Sequence, residues 1–266
     1  MPDRKLESRQ NPIIQAVAKL RTSRGRQQAG KIIIDGQREI SRAIIAGISL
    51  DSIFLPDDDH DWQLTKADSV YSVSQRAHEK IAYGKRLEPV AVANRPTTSL
   101  AELSVTDDAL FVVLEAVEKP GNIGAIMRSA DATGVTNMIL VDPLADAFNP
   151  NAIRASLGTI FALNVATASY EEYREWANRH GICSVLAICD SEAKEYTMHS
   201  FAGKSAIVLG NEANGLSDNW RDLDKAERIF LPMRGIADSL NVSSAATVLL
   251  YAATGNRILG SKSPNK

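Results

Sequence analysis

Short, almost wholly apolar segments recur along the second half of the chain and constrain its fold more than any other feature. They read ALFVVLEAV, NMILVD, GICSVLAIC, SAIVLG and RIFLP. Helical periodicity fits residues 122–133, 150–157, 169–179 and 241–258, which lie between or after these segments. A strand that is apolar on both faces needs cover on both sides, as in a parallel sheet flanked by helices. The pattern therefore predicts an α/β fold built on a parallel sheet.

The first part of the chain shows the same alternation on a smaller scale. Residues 31–95 contain the predicted strands KIIID, DSIFLP, SVYSV and EPVAVAN, separated by segments with helical spacing. The polar stretch RPTTSLAELSVTDD that follows lacks a strong apolar period and is typical of a linker. For a chain of 266 residues we therefore predict a small α/β domain with a basic N-terminal arm over 1–95, a linker over 96–107 and a larger α/β domain over 108–266.

The charge of the chain is distributed unevenly. The formal net charge is only −2, but residues 1–31 carry eight basic and two acidic side chains and therefore +6, which leaves −8 on the remainder. A basic arm on an acidic body is typical of an extension that binds phosphate groups. An amphipathic helix whose charges are merely solvated is the alternative, and charge alone does not decide between the two.

Composition argues against several classes of protein and site. No apolar run approaches the roughly 18–20 residues of a membrane span. The N-terminal MPDRKLESRQNP lacks the apolar core of a secretory signal, so we expect a cytoplasmic protein. The histidines are scattered without metal-ligand spacing, so we expect no bound metal. Cys183 and Cys189 lie about 20 Å apart on one predicted strand, too far for a mutual disulfide.

Three segments rich in Gly, Asn and Ser follow predicted strands. Segment 1 (117–134) is VEKPGNIGAIMRSADATG, segment 2 (208–217) is VLGNEANGLS, and segment 3 (231–251) is LPMRGIADSLNVSSAATVLLY. Open parallel sheets bind ligands at the carboxyl ends of their strands, so we expect the three segments to form one site. GNEANG lacks the Lys-Ser/Thr of a P-loop, and no G-x-G-x-x-G follows a strand, which argues against a Rossmann-type cofactor site.

Arg128 stands out in segment 1 because the surrounding helix consists of small and apolar residues. Helical side chains lean toward the N-terminus of their helix, so we expect this guanidinium to reach back over the first turn toward the strand ends. By itself the pattern also allows an arginine whose stem packs while its charged head stays in water.

Together the three segments resemble the SpoU/TrmH family of RNA ribose 2′-O-methyltransferases in the SPOUT superfamily. The first two family motifs, N-x-G-x-x-x-R and L-G-x-E-x-x-G, match Asn122, Gly124 and Arg128, and Leu209, Gly210, Glu212 and Gly215. The third, I/L-P-M-x-G followed by S-L-N-V-S-x-A, matches residues 231–235 and 239–245. The similarity covers roughly residues 108–260. One departure is Glu118-Lys119-Pro120-Gly121, since many members have Asp-Pro directly before the residue that precedes the Asn.

The resemblance implies more about the fold than the apolar pattern does. It implies a parallel-sheet SPOUT methyltransferase domain with a C-terminal trefoil knot, in which the region 210–245 is threaded through a loop. The upstream half is similar to the substrate-binding domain of many members, a small α/β fold like that of RNA-binding ribosomal proteins. A homodimer packed through the C-terminal helix and the helix of segment 1 is also implied, with residues of both subunits near the substrate.

The resemblance further implies methyl transfer from S-adenosylmethionine (AdoMet) to a ribose 2′-hydroxyl, without a metal. Arg128 is expected to act on the hydroxyl, either as a base or as an electrostatic stabiliser. The other expected catalytic-site residues are Asn122, Glu212, Ser239 and Asn241. The expected cofactor contacts are Leu209, Gly210, Leu231, Met233 and Leu240, with Gly210 allowing close approach of the backbone to the ligand. The expected phosphate contacts of the RNA are Arg21, Arg24, Arg26 and Lys31.

Ribosomal RNA is the favoured substrate, because tRNA-directed relatives often lack such an N-terminal domain. A tRNA 2′-O-methyltransferase and a catalytically inactive RNA-binding protein of the same fold are the alternatives. An α/β enzyme that acts on a small molecule, with an incidental basic arm, is a third. The intact set of motif residues argues against the inactive protein.

Overall fold

The computed structural model describes residues 4–57, 67–84, 87–188, 190 and 193–261, with side chains up to residue 255. Within this part the chain forms two units. The first contains the residues up to Pro96 together with Phe148–Ala162. The second contains Thr97–Ala147 and the residues from Leu163 onward.

Helices and strands alternate along most of the described chain. The helices are α1 (Pro12–Lys19), α2 (Ser23–Ala29), α3 (Gln37–Ile45), α4 (Gln75–Ile81), α5 (Pro120–Ala132), α6 (Pro150–Ala155), α7 (Tyr170–His180) and α8 (Val242–Ser261). The strands are β1 (Arg4–Leu6), β2 (Lys31–Asp35), β3 (Leu50–Pro56), β4 (Ala67–Val73), β5 (Val90–Asn94), β6 (Leu110–Glu115), β7 (Asn137–Val141), β8 (Asn164–Ala168), β9 (Cys183–Ala187), β10 (Lys194–Glu195), β11 (Ser205–Leu209) and β12 (Ala226–Phe230).

The sheet of the first unit is mixed, with the strand order β1-β4-β3-β5-β2. β3 and β4 run parallel, whereas β5 runs antiparallel to both β3 and β2. Apolar side chains of α1 and α4 meet those of the sheet in one core, which includes the buried Ile14, Val17, Phe54 and Ile81. Each such side chain stabilises a fold by about 1.5–3 kcal/mol on burial, so this unit has a core of its own.

A distant stretch of chain, Phe148–Ala162, completes the first unit. Its helix α6 contacts β2 and carries the fully buried Ile153. Arg42 of α3 donates a hydrogen bond of 2.8 Å to the carbonyl oxygen of Leu157. This arrangement corrects the prediction of one uninterrupted domain over 108–266. Helical periodicity predicts α6 but does not say which sheet the helix packs against.

The sheet of the second unit has the order β10-β12-β9-β11-β6-β7-β8, and all of its neighbouring strands in the described chain run parallel. This confirms the predicted α/β fold with a parallel sheet. β6, β7 and β11 are buried along their whole length, as near-continuous apolar runs predict. Because every pair is parallel, the carboxyl ends of β6, β9, β11 and β12 lie at one edge of the sheet.

The predicted linker is part of the second unit. The backbone N–H of Thr167 in β8 donates a hydrogen bond of 3.0 Å to the carbonyl oxygen of Thr98. Leu103 is buried in the core of this unit. The prediction of a linker over 96–107 is therefore corrected from Thr97 onward. Strand β8, with the sequence NVATA, was not predicted because its small and polar residues interrupt the apolar run that marks the other strands.

Helices and aromatic side chains cover the second sheet. The fully buried ring of Trp220 lies 5.2 Å from the rings of both Tyr170 and Tyr173. α5 and α8 pack against each other, and the hydroxyl groups of Ser129 and Thr247 lie 2.7 Å apart at this contact. Among the helices that the structure describes, none is both long enough and apolar enough to cross a membrane.

Candidate functional site

A cavity of about 880 Å³ opens at the edge of the sheet where β9, β11 and β12 end. The predicted cofactor contacts line this cavity: Leu209, Gly210, Leu231, Met233 and Leu240. So do three of the predicted catalytic-site residues, Glu212, Ser239 and Asn241. Segments 2 and 3 thus form one concave surface, because parallel strands deliver the loops after them to the same edge.

Hydrogen bonds join all three segments at one side of the cavity. The amide Nδ2 of Asn122 donates to Oε1 of Glu212 at 2.6 Å, which links segment 1 to segment 2. Nδ2 of Asn241 donates to Oδ1 of Asn122 at 3.4 Å, which links segment 3 to both. Oδ1 of Asn241 also accepts from the backbone N–H of Ser243 at 2.9 Å and so caps α8. Asn122 therefore lies at the centre of the network.

The carboxylate of Glu212 is held in its charged form. Burial by itself raises its pKa, but several favourable contacts outweigh burial, so the pKa lies below the ordinary value of 4.5. These contacts are the hydrogen bond from Asn122, backbone N–H groups of Glu212 and Glu118, and the positive charge of Lys119. Glu212 is therefore an anion at neutral pH and accepts hydrogen bonds in the network.

Gly210 is required by the folding of segment 2 on itself. A Cβ atom at this position would lie 2.2 Å from the carbonyl carbon of Gly215, which no side chain tolerates. The backbones of Asn211 and Gly215 exchange hydrogen bonds of 3.0 and 2.9 Å. Oδ1 of Asn211 accepts from the N–H of Ala213 at 2.8 Å and tightens the turn. A side chain at Gly210 is therefore excluded by the backbone of Gly215. The sequence interpretation instead expected close approach of a ligand at this position.

Arg128 is exposed on α5 and is not among the residues that line the cavity. Asn122, on the same helix, faces segment 2. The expectation that Arg128 reaches back to the strand ends is thus not met within one chain. A helical side chain that points toward the N-terminus reaches over about one turn. Arg128 also points in a different direction around the helix axis from Asn122, so it does not reach the same strand ends.

Residues outside the three segments also contribute to the cavity. Leu186 and Ile188, at the end of β9, and Ile229 and Phe230 of β12 line its walls. Their sequences predict only buried strands. Nothing in them indicates that β9 lies between β11 and β12 in the sheet, which is what brings the ends of these strands to the cavity.

The predicted phosphate contacts occupy very different surroundings. Arg24 is exposed. Arg21 is paired with the buried Asp35 and also donates to the carbonyl oxygen of Ile81. Lys31 pairs with Asp51 at 2.6 Å and also donates to the side chain of Asn94.

Arg26 is fully buried and donates through Nη1 to the carbonyl oxygens of Leu20 and Arg21. This corrects the prediction of a phosphate contact at Arg26, because a phosphate does not reach a side chain enclosed by the protein. The charge pattern that singled out the basic arm counts side chains without showing which of them the fold encloses.

The described residues contain no group of three or more His, Cys, Asp or Glu side chains placed to hold a metal ion. Cys183 is half-buried, and burial raises the pKa of its thiol. Cys189 and His60 lie outside the described residues, so the predicted separation of the two cysteines stays a prediction.

Family comparisons match both units of the chain. A model described as the SpoU rRNA Methylase family matches residues 109–251. A model described as the MRM3-like substrate binding domain matches residues 11–92.

Individual relatives match almost the whole chain. A 23S rRNA (uridine(2479)-2′-O)-methyltransferase from Streptomyces viridochromogenes is 32% identical over 97% of this chain and 94% of its own length. The 23S rRNA (guanosine(2553)-2′-O)-methyltransferase RlmP from Bacillus subtilis is 26% identical over 95% of this chain and 100% of its own length. The crystal structure of the SpoU methyltransferase AviRb from Streptomyces viridochromogenes, in complex with the cofactor AdoMet, has a TM-score of 0.84 at 29% identity and covers 94% of this chain and 99% of that one.

Proposed function

The chain belongs to the SpoU rRNA methylase family, and on that premise we propose that it transfers the methyl group of AdoMet to a ribose 2′-hydroxyl of ribosomal RNA. Membership confirms the family predicted from the three motifs, and with it an AdoMet-dependent RNA methyltransferase. The observation that carries the proposal is the cavity at the strand ends, which the motif residues of segments 2 and 3 line together. Ribosomal RNA is favoured because the similar proteins from Streptomyces and Bacillus are named for that substrate.

The residues of the cavity fit AdoMet. A volume of about 880 Å³ lies within the range of roughly 300–1,000 Å³ that small-molecule sites span. The side chains of Leu209, Leu231 and Leu240 offer apolar surface to adenine, and the turns of segments 2 and 3 offer backbone donors and acceptors. AdoMet supplies a methyl group on a positively charged sulfur. The residues of the chain therefore have to hold the acceptor in place and help it lose its proton.

Arg128 is proposed to act on the 2′-hydroxyl. A ribose hydroxyl is a weak nucleophile at neutral pH, and a group that takes its proton or stabilises the developing alkoxide lowers the barrier. Arginine holds its proton strongly, so its planar fork suits electrostatic stabilisation and bidentate contact with a neighbouring phosphate. A role as base, assisted by a substrate phosphate, is the second possibility.

A homodimer is proposed to bring Arg128 to a cavity. Arg128 is exposed on α5, and the adjacent α8 exposes Val248 and Tyr251, with Tyr251 57% exposed. Apolar and aromatic side chains on packed helices suit an interface between two copies of the chain. In such a dimer Arg128 of one subunit acts at the cavity of its partner.

The trefoil knot is also proposed for the second unit. β11 lies between β6 and β9 in the sheet, although both strands precede it in the chain. After β9 the chain therefore returns to form β11 between β6 and β9, which are both earlier in the sequence. It then crosses to the other side of β9 and forms β12 there. This order supports the threading of the region 210–245.

The first unit is proposed to dock RNA, and Arg24 is the predicted phosphate contact that the structure leaves exposed. The match of residues 11–92 to a substrate-binding domain supports this role. Contacts to phosphates position a protein on RNA without reading the sequence. Because ribosomal RNA is met in the cytoplasm, we propose that the protein acts there.

Incubation of the protein with radiolabelled AdoMet and separated 23S, 16S and transfer RNA fractions tests the function. We expect label in a ribosomal RNA fraction, and nuclease digestion of that RNA should release a 2′-O-methylated nucleotide. Label in transfer RNA alone supports the tRNA alternative. RNA binding without incorporation in any fraction supports an inactive RNA-binding protein and contradicts the proposal.

A further inference from the structure

We propose that Glu115 is a positioning residue that holds segment 2 in the shape required to bind AdoMet, an inference that rests on the cavity being the AdoMet site. Glu115 is the last residue of β6, next to β11 in the sheet, and it lies outside the motif residues considered above. Its side chain is only about 5% exposed. A carboxylate so placed is stable only when donors satisfy its oxygens.

Among the described residues, Ser217 at the end of segment 2 supplies two donors to Glu115. Oε2 of Glu115 accepts the backbone N–H of Ser217 at 2.9 Å. Oε1 accepts the hydroxyl of Ser217 at 2.5 Å. Hydrogen bonds to a charged acceptor are short and stronger than neutral ones. Ser217 is therefore held to the end of a buried central strand.

The start of the turn 211–217 in segment 2 is held by the residue that follows Glu115. Nδ2 of Asn211 donates to the carbonyl oxygen of Ala116 at 2.9 Å. Ala116 has a φ of 48°, in the left-handed region that non-glycine residues rarely adopt. Adjacent residues at the end of β6 thus hold both ends of the turn.

The anchored turn forms a wall of the cavity. Residues 209–217 all line it, and the backbones of Gly210 and Gly215 approach each other closely within this turn. Beyond Ser217 the chain enters a 3-10 helix (Asp218–Asp222) that carries the buried Trp220. Backbone groups of this turn bind a ligand more tightly when they already hold one arrangement in the free protein. If they become ordered only on binding, the lost conformational entropy weakens the affinity.

The variants Glu115→Gln and Ser217→Ala test this role. Glu115→Gln keeps the shape of the side chain but replaces one acceptor with an amide donor, and Ser217→Ala removes the hydroxyl donor while the backbone donor stays. We expect the AdoMet dissociation constant, measured by calorimetry well below the unfolding temperature, to rise on the order of tenfold in Glu115→Gln. Hydrogen exchange of residues 211–217 should become faster. The double variant should weaken binding by less than the product of the two single effects.

Tyr173→Phe is the matched control. The hydroxyl groups of Tyr173 and Ser184 lie 2.7 Å apart in the core of the same unit, and neither residue lines the cavity. We expect this variant to lower the unfolding temperature and to leave the AdoMet dissociation constant within twofold. Equal weakening of AdoMet binding by Tyr173→Phe and Glu115→Gln would show a general loss of structure and overturn the proposal.

Leu240→Glu separates this inference from the proposed function, because it replaces apolar surface proposed to contact adenine with a hydrated carboxylate. Weak AdoMet binding by Leu240→Glu, with normal binding by Glu115→Gln and Ser217→Ala, overturns the role of Glu115 alone. Normal binding by Leu240→Glu overturns the assignment of the cavity to AdoMet, and the role of Glu115 with it.

Discussion

Asn122 and Arg128 lie on the same helix but on different faces of it: Asn122 faces the loops at the cavity, and Arg128 faces outward. Successive residues of an α-helix are about 100° apart, so two side chains six positions apart differ in direction by roughly 120°. Asn122 bonds to Glu212 and Asn241 beside the cavity, whereas Arg128 is exposed. An arginine is tolerated in this helix because its position lies on the face that is exposed in the single chain.

Replacement of Arg128 by alanine should remove turnover and leave cofactor binding in place. Loss of one preorganised charge that stabilises a developing oxyanion costs on the order of 100- to 1,000-fold in rate. The AdoMet dissociation constant should stay within several-fold, because Arg128 does not line the cavity. Methyl incorporation and calorimetry measure the two quantities. Arg174→Ala, at an exposed site of α7 in the same unit, is the control, and a fully active Arg128→Ala enzyme contradicts the mechanism.

The lowered pKa of Glu212 predicts a pH-dependent contribution to stability. A carboxyl group whose pKa is lower in the folded chain stabilises the fold above its ordinary value of 4.5, and this contribution is lost as the pH falls through the folded-state pKa. We therefore expect wild type to exceed Glu212→Gln in free energy of unfolding by more at pH 7 than at pH 3. Urea unfolding at both values measures the difference. An equal difference at the two values contradicts the assignment of a lowered pKa.

Element α6 shows that periodicity and packing are separate questions. Its apolar residues predict a helix correctly over 150–157, against Pro150–Ala155 in the structure. The helix packs in the first unit against β2, which lies more than 100 residues earlier in the chain. Deletion of residues 1–95 would therefore expose the apolar side of α6, so point variants test RNA docking more cleanly than a truncation.

Ile153→Ala should destabilise the first unit. Ile153 is fully buried on α6, and removal of a buried isoleucine side chain to alanine costs about 2–5 kcal/mol. Thermal unfolding should show a lower transition temperature, while AdoMet binding at low temperature stays normal, because the cavity lies in the second unit. Asn151→Ala, at an exposed position of the same helix, should leave the transition unchanged. A stable Ile153→Ala protein would show that α6 contributes little to this core.

At the scale of the whole molecule, the cavity and the proposed catalytic Arg128 lie apart within the described chain. The cavity, the network around Asn122 and the anchored turn are complete within one copy. Arg128 lies apart from them, on an exposed face shared with the neighbouring α8. In the proposed homodimer, a second copy of the chain brings its Arg128 close to the cavity.

Mixed dimers test whether Arg128 acts on the cavity of its partner. One subunit carries Arg128→Ala with an intact cavity, and the other carries Leu240→Glu with an intact Arg128. If Arg128 acts across the interface, the mixture regains methyl transfer, up to about one intact site per mixed dimer, whereas each variant alone is inactive. Purification through a different affinity tag on each variant isolates the mixed dimer. A mixed dimer without activity contradicts action across the interface.

The sequence by itself determined the α/β class, most of the strands and the cavity residues that segments 2 and 3 contribute. Apolar runs and helical periods predict which side chains are buried. Each of the three motifs is a short contiguous segment, so its residues can be identified without knowledge of their distant neighbours. The sequence left undetermined the unit that α6 joins, the enclosure of Arg26, the pairing of Glu115 with Ser217 and the direction of Arg128. Only the tertiary structure decided these, because each depends on which distant segment becomes a neighbour. The sequence pattern predicts that a side chain is buried, but it does not predict which other residues bury it.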